Sequence, residues 1–159
     1  MHNVGSIFRT ADAAGVEKIY LCGITPAPTD RFGRPVSKIT KVSLDAEKWV
    51  TWEKVGQTTM IIDKLKRDGF KIYAIEQSKK SVPYYKLKVK SEKLKVALIL
   101  GSEMKGLSQS ILKRADKILE IPMRGAMVRQ AHHPRNIKRG KESLNVAVAF
   151  GIVVFNLSH

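Results

Sequence analysis

Three segments in the second half of the chain constrain its fold most: ILGSEMKGLS at 99–108, IPMRG at 121–125 and KESLNVAVAFG at 141–151. In each, a glycine-bearing or polar turn abuts an apolar element. A turn of that kind at the end of a buried strand leaves backbone N–H and C=O groups free at one sheet edge, where a ligand can approach the main chain closely. Apolar runs at EKIYLCG (17–23), FKIYAIE (70–76), KVALILG (95–101) and 116–123 read as strands, and the unbroken VALIL implies burial on both faces. Helical patterns lie between them. Val4, Ile7, Phe8 and Ala11 share one helix face ahead of Gly15, and QTTMIIDKLKRDG (57–69) places Met60, Ile61, Lys64 and Leu65 on another, closed by Gly69. Ser108 opens a short helix, SQSILKRA. A final helix from Glu142 to Leu157 is apolar nearly all round, as suits either core or a dimer interface. Strands alternating with helices predict a single α/β domain over 1–159, built on a largely parallel sheet flanked by helices.

Charge narrows the partners. The chain carries 29 Lys+Arg against 14 Asp+Glu, a net +15, which points to a polyanion, with nucleic acid ahead of an anionic membrane surface. No apolar stretch reaches the ~18 residues of a membrane span, and the N-terminus MHNVGSIFRT has no secretory-signal pattern, so a cytoplasmic protein without a membrane partner is expected. The single Cys22 excludes a disulfide framework and suits a reducing compartment. His132 and His133 are adjacent without a third ligand at metal spacing, so no metal is expected. The Pro-, Gly- and Arg-rich loop at 24–41 reads equally as a functional loop or a plain surface one.

Taken with NVGSIFRTADAAG at 3–15, the three segments resemble the signature motifs of the SpoU/TrmH-type RNA ribose 2′-O-methyltransferases, of the SPOUT class. The resemblance covers nearly the whole chain. It implies a deep C-terminal trefoil knot, S-adenosyl-L-methionine as cofactor, homodimers whose active site is completed near the subunit boundary, and an RNA substrate, tRNA or rRNA. By position, Leu100, Gly101, Ile121, Met123 and Leu144 should hold the adenosine and methionine parts of the cofactor. Asn3 and Arg9 match the polar residues of the first motif, Glu103 that of the second, and Ser143 and Asn145 the pair of the third.

The chemistry suits those types. A ribose 2′-OH is a poor nucleophile that must lose its proton as it attacks the methyl group. Arg9 could bind the adjacent phosphate and stabilise the developing alkoxide; a guanidinium, with a pKa above about 12, is a poor base, so electrostatic help is the expected role. Asn3, Ser143 and Asn145 can position Arg9, phosphate and ribose, while Glu103 either anchors its loop or Asn3 by accepting hydrogen bonds or is a structural carboxylate. Phosphate contacts are expected around Arg31, Arg34, Lys38 and Lys41 and around Lys79–Lys93. Tyr84 and Tyr85 could stack on a base or pack against the domain.

The chain departs from the family pattern twice. The first motif normally follows a short strand, whereas here Met1 stands almost directly before it, as a truncated chain or a misassigned start would produce. The third motif is split by AMVRQAHHPRNIKR (126–139), flanked by Arg-Gly at 124–125 and again at 139–140, which reads as an insertion with a short duplication. It contributes Arg129, Arg135, Lys138 and Arg139 and no acid, so most of the positive charge lies elsewhere. The competing functional reading is therefore a catalytically impaired RNA-binding protein that retains the methyltransferase fold.

Overall fold

In the computed structural model, which describes residues 1–87, 94–123 and 143–158, the opening periodicity becomes α1 (His2–Ala13). Val4, Phe8 and Ala11 are buried on its inner face, and Gly15, at φ +71°, turns the chain into β1 (Lys18–Cys22). Next come α2 (Ser37–Ser43), α3 (Ala46–Trp49), β2 (Thr51–Val55), α4 (Thr58–Arg67), β3 (Lys71–Ile75) and β4 (Val82–Pro83). After a single 3-10 turn at Tyr84–Lys86 follow β5 (Val96–Leu100), α5 (Gln109–Leu112), β6 (Lys117–Glu120) and α6 (Val146–Leu157).

All strand pairs are parallel, as the alternation of strands and helices predicts. One sheet has the order β4-β6-β3-β5; the other is the pair β1-β2. In the larger sheet Ile75 stands opposite both Leu100 and Leu119, so three strands end level with one another. Side chains of β1 and β5 divide between the same two apolar clusters. Ile19, Leu21, Leu98 and Leu100 join the cluster around Phe8, Ile39 and Phe150, while Tyr20, Cys22, Ala97 and Ile99 join the one around Ile62 and Ile72. No ladder joins β1 to β5 among the described residues. The first helix is seated closely on α2: a Cβ on Gly5 would lie 2.7 Å from the Ile39 carbonyl oxygen and 2.8 Å from the Val42 Cβ, so only glycine permits this approach.

Several expectations are corrected. The loop expected over 24–41 ends in helix, because Ile39 is wholly buried and draws 37–43 onto α1. The final helix begins at Val146 rather than Glu142, since the Asn145 side chain caps it there; Glu142 itself lies outside the described residues. Of the two readings open for that apolar helix, core or interface, Phe150, Val153 and Val154 take the first: all three are buried. On α4 the inward face is Ile61, Ile62 and Leu65, with Met60 and Lys64 exposed. Strand β6 is shorter than 116–123. Every residue of β5 is half-buried, covered by clusters on both sides without being sealed from solvent. The proposed insertion at 126–139 and its histidines lie outside the described residues, as do 88–93 of the Lys-rich stretch. The expected knot depends on the path between Met123 and Ser143, which also lies outside them.

Candidate active site

Because β3, β5 and β6 run parallel and end level, the residues that follow them gather at one edge. Glu76 follows β3, Gly101 follows β5, and Ile121 follows Glu120 at the end of β6. They border a cavity of about 550 Å³, within the usual range for small-molecule sites. Leu100, Gly101, Ile121, Met123 and Leu144, the five residues expected to hold the cofactor, all line it. Glu103 and Ser143 line it too.

The loop after β5 is what leaves room for a ligand. The Gly106 N–H donates to the Ser102 carbonyl at 2.8 Å, and Gly106 itself sits at φ +61°, a conformation that glycine adopts without strain. A Cβ on Gly101 would come within 2.6 Å of the Gly106 carbonyl carbon and 2.9 Å of the Leu107 nitrogen. Two backbone segments therefore meet where any side chain would drive them apart.

Polar residues of three distant segments meet beside this loop. The Asn145 amide donates to the Asn3 side-chain oxygen at 2.9 Å and to Glu103 Oε1 at 2.8 Å. Its own oxygen accepts from the backbone N–H groups of Ala147, at 2.9 Å, and Val148, at 3.4 Å, which caps α6. One side chain thus ties α1, the loop after β5 and the start of α6. Four of its hydrogen-bonding positions are spent inside the protein, which makes Asn145 a strut. Among the described residues, Glu103 thus meets Asn3 only through Asn145.

Arg9 stands apart from that bracket. It is exposed on α1, six positions past Asn3 and so on a different side of the helix, and has no hydrogen bond or ion pair among the described residues. Among the described residues, three carboxylates against one ammonium group, Lys105, line the cavity of this strongly basic chain. Glu76 and Glu120 had not been expected there. Glu76 accepts from the N–H groups of Leu107 at 2.9 Å and Gln77 at 3.0 Å, bracing the glycine loop, and Glu120 accepts from the Ser81 hydroxyl at 2.8 Å. Each follows or closes an apolar strand run, as Gly101 does, and that shared position is the signal by which they could have been found. An acidic wall with apolar side chains at the strand ends suits a ligand with both a cationic and an apolar part. S-adenosylmethionine, a sulfonium carrying an adenosine, is of that chemistry.

The SpoU rRNA methylase family model matches residues 1–155. A tRNA (guanosine(18)-2′-O)-methyltransferase of Aquifex aeolicus is 30% identical over 97% of this chain and 62% of its own length. The tRNA enzyme of the same name from Borreliella burgdorferi is 31% identical over 73% of this chain and 45% of its own. The chain thus spans less than two thirds of the length of either relative. Among solved structures, the A. aeolicus TrmH/SpoU tRNA modifying enzyme superposes at a TM-score of 0.74 with 30% identity, covering 99% of this chain and 68% of that one. An AdoMet-bound rRNA methyltransferase from Sinorhizobium meliloti superposes at 0.76 with 28% identity, covering 98% and 50%. With its motifs gathered at one sheet edge and matched along almost its whole length, the chain belongs to the SpoU rRNA methylase family.

Proposed function

We propose that this chain transfers a methyl group from S-adenosylmethionine to a ribose 2′-hydroxyl of RNA, tRNA or rRNA, as a cytoplasmic homodimer. The observation that carries the reading is the bracket in which one Asn145 amide holds Asn3 and Glu103 together beside a cavity lined by all five expected cofactor residues. The names of the relatives, tRNA and rRNA methyltransferases, support it.

Bound S-adenosylmethionine supplies an electrophilic methyl on a positively charged sulfur, and departs as a neutral thioether. The protein's work is placement and charge. Leu100, Ile121 and Leu144 offer apolar surface for the adenosine, Gly101 lets the loop that lines the cavity fold back on itself, and the acidic wall favours the cationic end. The O–C bond forms as the carbon–sulfur bond breaks, and the hydroxyl proton passes to solvent; negative charge develops on the oxygen to the extent that proton loss runs ahead of bond formation. Arg9 binds the neighbouring phosphate and stabilises that charge, an electrostatic rather than a proton-accepting role. Asn3 and Ser143 orient the ribose, and Glu103 holds the loop through Asn145.

A homodimer brings Arg9 to a site that its own bracket does not reach. Val148 and Phe155 stand seven positions apart on the outward side of α6, 51% and 41% exposed, and supply apolar surface for the contact. Among the described residues no helix is long and apolar enough to cross a membrane.

The test is transfer of a labelled methyl group into bulk tRNA and rRNA, with calorimetry of S-adenosylmethionine binding alongside. One-site binding in the ~µM range and label at ribose 2′-oxygens are expected. Arg9→Ala should cut transfer by about 10²-fold while leaving cofactor binding intact. Salt-sensitive RNA binding by a wild-type chain that takes no cofactor would overturn the enzyme reading and leave the fold serving as an RNA binder.

A further inference from the structure

The turn at residues 28–36 is built more firmly than a surface loop requires. Its base is buried: Pro28 is wholly enclosed, and Ala27 and Val36 pack on the cluster around Phe8 and Ile39. The Val36 N–H donates to the Pro28 carbonyl at 2.7 Å and the Asp30 N–H to the Arg34 carbonyl at 2.9 Å. At the tip, Asp30 Oδ1 accepts from the N–H groups of Phe32, at 2.8 Å, and Arg34, at 3.0 Å, while Oδ2 accepts from Arg34 Nε at 2.7 Å. Gly33, at φ +77°, closes the turn.

What this frame presents is an aromatic ring left in solvent. Phe32 is 66% exposed, with the guanidinium carbons of Arg31 and Arg34 at 4.7 Å and 5.1 Å from the ring centre. Asp30 is already committed to the turn, so the net charge beside the ring is positive. Lys38 and Lys41 follow, exposed and three apart on α2, the helix seated on α1 at Gly5. A fixed aromatic face flanked by guanidiniums and a short lane of ammonium groups matches an unpaired nucleotide, whose base stacks and whose phosphates pair with the cations. Duplex RNA offers the phosphates but keeps its bases stacked within the helix.

Resting on the RNA reading above, we infer that Phe32 is a stacking platform for an unpaired base of the substrate, with Arg31 and Arg34 holding the adjoining phosphates. The turn is rigid beforehand, so little ordering opposes binding. Its attachment to α1 places this contact on the same rigid unit as Asn3 and Arg9.

The experiment measures affinity for a short unstructured RNA oligonucleotide and for a duplex RNA of the same length, across a salt series. Phe32→Ala should weaken single-strand binding about tenfold, leave duplex binding unchanged and leave the salt slope unchanged, because stacking neutralises no phosphate. Phe32→Tyr should retain wild-type affinity and Phe32→Leu should behave as the alanine variant. Arg31→Ala should weaken both RNAs and lower the salt slope by about one. Wild-type single-strand affinity in Phe32→Ala, or equal losses for both RNAs, overturns the platform while the RNA reading stands. A wild-type chain that binds neither RNA overturns both.

Discussion

Replacing Asn145 separates two functions that one side chain combines. Asn145→Ala removes the acceptor for Ala147 and Val148, a cap worth about 1 kcal/mol. It also removes the donor to Asn3 and Glu103, two solvent-exposed bonds worth about 0.5 kcal/mol each. A loss near 2 kcal/mol lowers the Tm of a domain of this size by about 4–8 °C. Asn145→Asp keeps the acceptor, and its charge is favourable at a helix N-terminus, so about half of that stability should return. The new carboxylate oxygen, however, faces Glu103 and the Asn3 oxygen where a donor stood. Both variants should therefore bind S-adenosylmethionine about tenfold more weakly, the aspartate at least as badly as the alanine, because the Glu103 loop lining the cavity is released. Differential scanning calorimetry and cofactor titration read the two effects apart. Wild-type cofactor affinity in both variants would refute the claim that this bracket shapes the cavity, and an aspartate variant melting below the alanine would refute the cap.

Gly101→Ala puts a methyl group 2.6 Å from the Gly106 carbonyl carbon, and both sides of the collision are backbone. One side must shift, and the loop lines the cavity, so cofactor affinity should drop at least about tenfold; titration at wild-type strength would show that the loop yields freely. Hydrogen bonds from the Arg34 and Phe32 backbone and from the Arg34 guanidinium hold the Asp30 carboxyl below the ordinary carboxylate range. A depressed folded pKa means that the contribution of Asp30 is present above its unfolded value of about 3.9 and is lost as pH falls through the folded one. The Tm gap between wild type and Asp30→Asn should therefore be full near neutrality and close only in strong acid. A gap unchanged down to about pH 2 would show that the charge of Asp30 does not hold the turn.

The strands that build the cavity are visible in the sequence because each is an apolar run stopped by a Gly or an acid, a pattern that burial between two layers imposes. Strand β2 is not, since TWEKV sets two adjacent charges between Trp52 and Val55 and, among the described residues, pairs only with β1. Helix α2 is hidden for a related reason: SKITKVS is short and largely polar, and of its two wholly buried residues, Ile39 and Ser43, only one is apolar. The five residues expected at the cofactor came from resemblance to the family; that Leu100, Gly101 and Ile121 border one cavity follows from strand ends in a parallel sheet converging. Glu76 and Glu120 were missed because an isolated acid after a strand carries no motif of its own. The position of Arg9 shows the limit most sharply: its place in N-x-G-x-x-x-R names a residue, but helical spacing sends it away from Asn3, a relation that only three dimensions reveal.

The absence of a ladder between β1 and β5 gives the molecule a seam. Among the described residues, the segments on either side are joined by interlocking side chains and by α6 lying on α1, so the facing edges of β1 and β5 lack the mutual locking of a continuous sheet. Asn3 belongs to one bank and Glu103 to the other, with the Asn145 amide as the clasp between them. Occupying the cavity and closing the seam should then be coupled: a ligand that favours the clasped arrangement is expected to slow amide exchange along β1, none of whose residues is among those lining the cavity.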